Sequence, residues 1–248
     1  MPETFWEEAY RGFQPFNVTD FLKHYQDSPS FQFFFTLLQK VTDKAVLDLG
    51  CGNGFLSVLL ATRGARVTAV DTSLTAIKST QLLAHYNKVS DRVEALPFNV
   101  FDIDKLPQQF DIITGNYILH HIEPFELLAE RMYTALKQGG KGIFLENNGR
   151  NIFLMLSRKY LAGRFGIPKF GDEVERPFDK MEVEIIKKIF PIVSIYYMEF
   201  LFFKLLRLYM RLENRMIINL LDKLDSFIYN HFPILRKFSY RQVIVFEK

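Results

Sequence analysis

Three groups of residues in this 248-residue sequence have types and spacings suited to chemistry. The first runs Asp48-Leu49-Gly50-Cys51-Gly52-Asn53-Gly54, a carboxylate followed by a turn with a glycine at every second position. A turn so poor in Cβ atoms lets a ligand approach the backbone. A helix starting just after it would point unpaired N–H groups at that ligand. The second group is Asp71 with Thr72, which ends the apolar run Arg66–Val70. A carboxylate at that point can accept hydrogen bonds from a ribose diol. The third group is His120, His121 and Glu146. A histidine titrates near neutrality and can serve as a general base, and a glutamate ending a strand can face an acceptor. As adjacent residues, the two histidines are expected to point in different directions. His85, His120, His121 and the nearby carboxylates show no metal-ligand spacing, so no metal is expected.

The glycine turn has two possible occupants. A dinucleotide site asks for G-x-G-x-x-G. Here Gly50, Gly52 and Gly54 are followed by Phe55, where no fingerprint glycine stands. Asp48 would also repel a pyrophosphate, whereas it would attract a sulfonium and an α-ammonium. Charge therefore favours S-adenosylmethionine over NAD.

These residues need strand ends to carry them. Ala45–Leu49 and Arg66–Val70 are short apolar runs of strand type, Val93–Phe101, Phe110–Thr114 and Gly142–Glu146 follow, and Ile192–Phe200 reads as a further buried strand before a closing strand at Arg241–Phe246. Phe55–Ala61, Leu74–Tyr86 and Phe125–Leu136 have helical spacing, with Gly139-Gly140 placed to end the last of them. Strands alternating with helices predict a Rossmann-like α/β fold with a mostly parallel sheet and helices on both faces. Ligands of such sheets bind at the carboxyl ends of the strands, where all three groups fall.

From Lys44 to Glu146 the sequence resembles the class I S-adenosylmethionine-dependent methyltransferases. The resemblance is carried by VLDLGCGNG at 46–54, VTAVD at 67–71, FDIDKLP at 101–107, FDIITGNYILHHI at 110–122 and LKQGGKGIFLE at 136–146. It implies a seven-stranded sheet with an antiparallel last strand. It implies that Asp48, Gly50, Cys51, Gly52, Asn53 and Gly54 wrap the methionine part of the cofactor, and that Asp71 and Thr72 take the ribose. Asp102 and Ile103 would flank the adenine, and Asn116 would line the pocket through its backbone. Gln138 departs from the family pattern, where proline is common. Relatives often carry a similar LHH without a catalytic histidine. The Asn-Pro-Pro-Tyr type of motif used on nucleobase amines is replaced by Asn116-Tyr117-Ile118-Leu119.

One domain is expected: a helical cap over 1–44, a cofactor-binding core over 45–146, a lid insertion over 147–180, and the last strands over 181–248 with a helical insertion at 202–230. A net charge of +3 is too small to indicate a nucleic-acid reader, and one cysteine permits no internal disulfide. With an N-terminus that lacks the pattern of an export signal, this favours a cytoplasmic protein. Phe makes up 26 residues, many of them outside the core. An apolar small-molecule acceptor methylated at oxygen or carbon follows as the expectation. Lys204, Arg207, Arg211 and Arg215 share one helical face, which suggests peripheral membrane contact through 204–215. An RNA or protein methyltransferase and a non-catalytic S-adenosylmethionine binder are the alternatives.

Overall fold

The computed structural model describes residues 7–8, 10–160, 177–200 and 214–248. Its centre is a seven-stranded sheet in the order β3-β2-β1-β4-β5-β7-β6. β1 (Ala45–Leu49) is buried at every position. It pairs in parallel with β2 (Arg66–Asp71) and β4 (Phe110–Asn116). β3 (Val93–Pro97) and β5 (Leu136–Asn147) extend the parallel array on either side. β7 (Arg241–Glu247) runs antiparallel to both β5 and β6 (Ile192–Tyr196). It is the one reversed strand among those described.

Strand alternation sends neighbouring residues into two different apolar layers. In β4, Ile112 faces a layer made with α2 (Pro29–Leu37), α3 (Phe55–Thr62) and α4 (Leu74–Tyr86), with Phe34, Leu59 and Leu83 at its centre. Ile113 faces the opposite layer, against α5 (Phe125–Ala135) and α7 (Lys180–Ile189), with Phe110, Phe144 and Phe246 packed there. α1 (Val18–Phe21) is capped by the Asn17 side chain, α4 by Ser73 and α7 by an Asp179–Glu182 capping box. These caps satisfy first-turn donors that would otherwise be orphaned. Both sheet faces are thus covered, and β1 and β4 lie side by side where the strand order reverses. That reversal opens a crevice at their carboxyl ends.

Three boundaries differ from the sequence expectation. The third strand ends at Pro97 rather than Phe101, because proline cannot donate to a ladder. Asn99 then caps a 3-10 turn over Val100–Lys105. Gly139-Gly140 does not end the helix. α5 stops at Ala135, and the glycines lie inside β5, where Gly139 donates its N–H to the Lys248 carbonyl. The run 192–200 is a five-residue strand rather than a nine-residue one. As an edge strand paired with β7 alone it is half exposed instead of buried. The helical insertion is described as α8 (Arg215–His231). The lid expectation over 147–180 is described as α6 (Ile152–Tyr160) at one end and Pro177–Lys180 at the other. The rest of the lid, and Lys204, Arg207 and Arg211, lie outside the described residues.

One amide fixes the start of α1 to the end of α4. Asn87, at the end of α4, accepts from Val18 N and donates to the carbonyls of Phe16 and Leu83. Asn87→Ala should therefore cost about 1–3 kcal/mol, the penalty for buried groups left unsatisfied. Urea unfolding of the two proteins checks this.

Candidate active site

The crevice is built from the ends of five strands. Asp48 is fully buried in β1 and accepts a 2.5 Å hydrogen bond from Ser57 Oγ on α3. Burial, helped by the nearby charge of Asp71, pushes its carboxyl up to about 7 against the lowering effect of Ser57. Gly54 opens α3 in the left-handed region at φ 83°, and a Cβ there would meet the Thr80 backbone at 2.7 Å. Glycine alone lets the turn close against α4 at this point. Asn53 Oδ1 accepts from Phe55 N at 3.2 Å, a local turn bond leading into α3. Cys51 is buried and donates its N–H to the Val70 carbonyl. Burial drives its thiol well above the ordinary range.

Asp71 ends β2 beside this turn. Its Oδ2 accepts from Gly52 N at 3.0 Å and its Oδ1 from Ser73 N at 2.9 Å. Burial raises its carboxyl despite these donors. Among the described residues neither Asp48 nor Asp71 has an ion-pair partner. Thr72 lies in the exposed bend that follows. Asp102 is in the 3-10 turn beyond β3, half exposed and paired with Lys105 at 2.5 Å. Ile103 is fully buried in the layer under α5, so its side chain is committed to packing.

Asn116 ends β4 at the reversal point, and its Oδ1 is buried with no hydrogen-bond partner among the described residues. A buried amide carbonyl without a donor is costly unless a ligand supplies one. The donor set thus fits S-adenosylmethionine. Asp48 and Asp71 provide negative charge without a resident cation, and Asn116 offers an acceptor to an ammonium.

The third chemical group gathers next to Asn116. Glu146 is fully buried near the end of β5. Its Oε1 accepts from Ile118 N at 2.8 Å and Leu119 N at 2.7 Å, and its Oε2 contacts His120 Nδ1 at 2.6 Å. One carboxylate thus fixes the whole turn after β4 and the ring that follows. The histidines do not point apart. A 3-10 turn over Leu119–His121 brings their rings together, tilted at 36° with centroids 4.1 Å apart.

A further cluster was not visible in sequence. Arg241, the first residue of β7, donates from Nε to Tyr117 Oη at 2.7 Å. Its Nη1 reaches Glu199 Oε1 at 3.0 Å and Ser28 Oγ at 3.2 Å. Tyr117 holds φ 55° and donates its N–H to the Leu145 carbonyl. Burial raises its phenol strongly. The cluster joins four chain segments separated by up to 213 residues, and the local signal for it is nil.

Residues 46–140 match the family model described as "Methyltransferase domain". This segment is therefore similar to a methyltransferase domain. Over 109 residues the chain is 35% identical to the ubiquinone biosynthesis O-methyltransferase of Idiomarina loihiensis, a match covering 44% of each protein. The chain spans about half the length of the curated relatives it matches. A solved S-adenosylmethionine-dependent methyltransferase from Archaeoglobus fulgidus superposes with a TM-score of 0.60 at 14% identity, over 100% of both chains. Geranyl diphosphate C-methyltransferase from Streptomyces coelicolor A3(2) superposes at 0.57, with 14% identity, 96% of this chain and 86% of that one. The seven-stranded sheet is thus the class I methyltransferase fold, and S-adenosylmethionine is the cofactor of that family.

The buried Asp48 carboxylate has a testable pH signature. Asp48 titrates at its ordinary 3.8 when unfolded and at about 7 when folded, so the folded state binds its proton more tightly. The associated stability is complete below pH 4 and is lost as pH rises to about 7. Asp48→Asn should flatten that slope and raise stability above pH 7 by roughly 2–4 kcal/mol. Denaturation midpoints measured from pH 4 to 8 check the sign and the window.

Proposed function

We propose that this protein is an S-adenosylmethionine-dependent methyltransferase acting on a hydroxyl of a small, apolar acceptor. The observation that carries this reading is the His120–Glu146 pair at 2.6 Å, next to the orphaned Asn116 carbonyl. S-adenosylmethionine supplies an activated methyl group, so the protein has to align a nucleophile and manage one proton. Asp71, Gly50, Gly52 and Asp48 hold the cofactor in this assignment, with Cys51, Asn53, Thr72, Asp102, Ile103 and Asn116 around it. Glu146 accepts the Nδ1–H of His120, which makes Nε2 the acceptor nitrogen of the ring. Nε2 takes the acceptor's proton as its oxygen attacks. Glu146 orients the ring and steadies the imidazolium that results. His121 packs against that ring and is assigned to positioning.

Oxygen is favoured because the similar curated proteins are ubiquinone biosynthesis O-methyltransferases, and because a base is of most use with a weakly acidic hydroxyl. A prenylated phenol satisfies both the base and the apolar surroundings. His120→Ala should lower turnover with such an acceptor by about 10²–10⁴-fold while leaving S-adenosylhomocysteine affinity unchanged. Asp71→Ala should do the reverse, weakening the cofactor by roughly 1–3 kcal/mol. Product mass spectrometry and calorimetry separate the two. Full turnover in His120→Ala would remove the base from the mechanism.

A cytoplasmic enzyme that collects its acceptor at a membrane surface is the second part of the reading. Among the described residues no helix is long and apolar enough to cross a membrane. α8 nevertheless exposes Met216 (81%), Leu220, Leu224 and Phe227 along one stripe, and Ile234 (73%) continues it. Lys223 is on the same helix, and Arg236 and Lys237 are in the 3-10 turn that follows it. An amphipathic helix of this kind rests in the headgroup region of an anionic bilayer. Sedimentation with anionic vesicles should be lost in Leu220→Asp/Phe227→Asp, and no binding by the parent protein would end the membrane reading.

A further inference from the structure

Two residues of the N-terminal segment lie at the nucleotide side of the crevice. The Glu7 carboxylate accepts from Thr75 N at 3.3 Å and from the Thr75 hydroxyl. Thr75 is in the first turn of α4, two residues beyond Ser73, whose N–H holds Asp71. Tyr10 reaches the other side. A Cβ on Gly52 would lie 2.6 Å from its phenol oxygen. Gly52 itself donates to Asp71. Glu7 and Tyr10 thus touch the two segments that donate to Asp71, one fixed to the start of α4 and the other resting on the glycine turn. Phe13 and Phe16, three and six residues further on, pack into the layer of α2 and α3 instead. The Tyr10 phenol is pushed up to about 12 by burial and by the negative field of Asp71 and Cys51, which keeps it a neutral donor at all working pH.

We infer that Glu7 and Tyr10 form a clasp over the nucleotide crevice, with the Tyr10 hydroxyl a contact for bound S-adenosylmethionine and Glu7 the positioning residue that anchors the clasp to α4. The inference rests on the cofactor reading above. It gives the N-terminal segment a task apart from packing, which is to slow cofactor escape. A group held this way adds little to the rate of entry and is felt in the rate of departure.

The test is S-adenosylhomocysteine binding by the whole chain, with calorimetry for affinity and stopped-flow mixing for rates. Parent, Tyr10→Phe, Tyr10→Ala and Glu7→Gln proteins are compared, with hydrogen exchange of residues 7–13 followed with and without the ligand. Loss of the hydroxyl in Tyr10→Phe should weaken binding about three- to tenfold, the range for one hydrogen bond, and Tyr10→Ala should weaken it further, both through faster dissociation. Glu7→Gln should exchange faster over residues 7–13 in the ligand-bound state. Parent binding with unchanged dissociation in both Tyr10 variants would overturn the clasp. So would tighter binding by Tyr10→Ala, since that marks a plug. Where Tyr10→Ala fails to fold, Tyr10→Phe decides. A parent that does not bind S-adenosylhomocysteine overturns the cofactor reading itself and the clasp with it.

Discussion

Asp48 and Asp71 are two carboxylates taken out of water with no cation beside either among the described residues, and the arrangement around them follows from making that tolerable. A buried carboxylate raises its pKa unless donors or positive charge compensate. Asp48 has the Ser57 hydroxyl, and Asp71 has the N–H groups of Gly52 and Ser73. These donors come from the turns and helices that begin at the carboxyl ends of β1 and β2, so the packing of α3 and α4 sets the electrostatics of the crevice. The compensation is incomplete, and both carboxyls stay above their ordinary values. A pocket left negative in this way is complementary to a ligand that is positive at one end, which is the charge pattern of S-adenosylmethionine.

The acceptor side is governed by a different constraint, the placement of one short turn. Between Asn116 and His121 the chain leaves β4, and Tyr117 takes a left-handed conformation that a side-chain-bearing residue adopts at a cost. Glu146 holds the turn from β5, and Arg241 holds it from β7 through the Tyr117 hydroxyl. Both anchors are buried charged groups with several partners, so the turn is fixed from two directions. The His120 ring that follows the turn is held in place by the same redundancy. The Ser28 and Glu199 contacts bring the N-terminal cap and the segment after β6 into the same cluster. The parts of the chain outside the core are thereby tied to the reacting centre.

The sequence by itself determined the core. Period-two and continuous apolar runs marked the strands, 3.6-residue spacing marked α4, and the glycine turn with its two flanking carboxylates marked the crevice at the ends of β1 and β2. These are local signals, because strand alternation, helix spacing and turn glycines are each set within about ten residues. The same local logic went astray at Gly139-Gly140, where a helix-ending pair belongs to a strand held by the Lys248 carbonyl. It went astray again at 192–200, where apolar residues form an edge strand. Only the tertiary structure decided the rest. The packing of His120 against His121, the joining of His120 to Glu146, the Arg241 cluster and the position of Tyr10 over Gly52 all depend on contacts between residues 26 to 213 apart, or on a turn geometry that such contacts impose. No periodicity in the chain records which distant side chains a fold will bring within hydrogen-bonding distance.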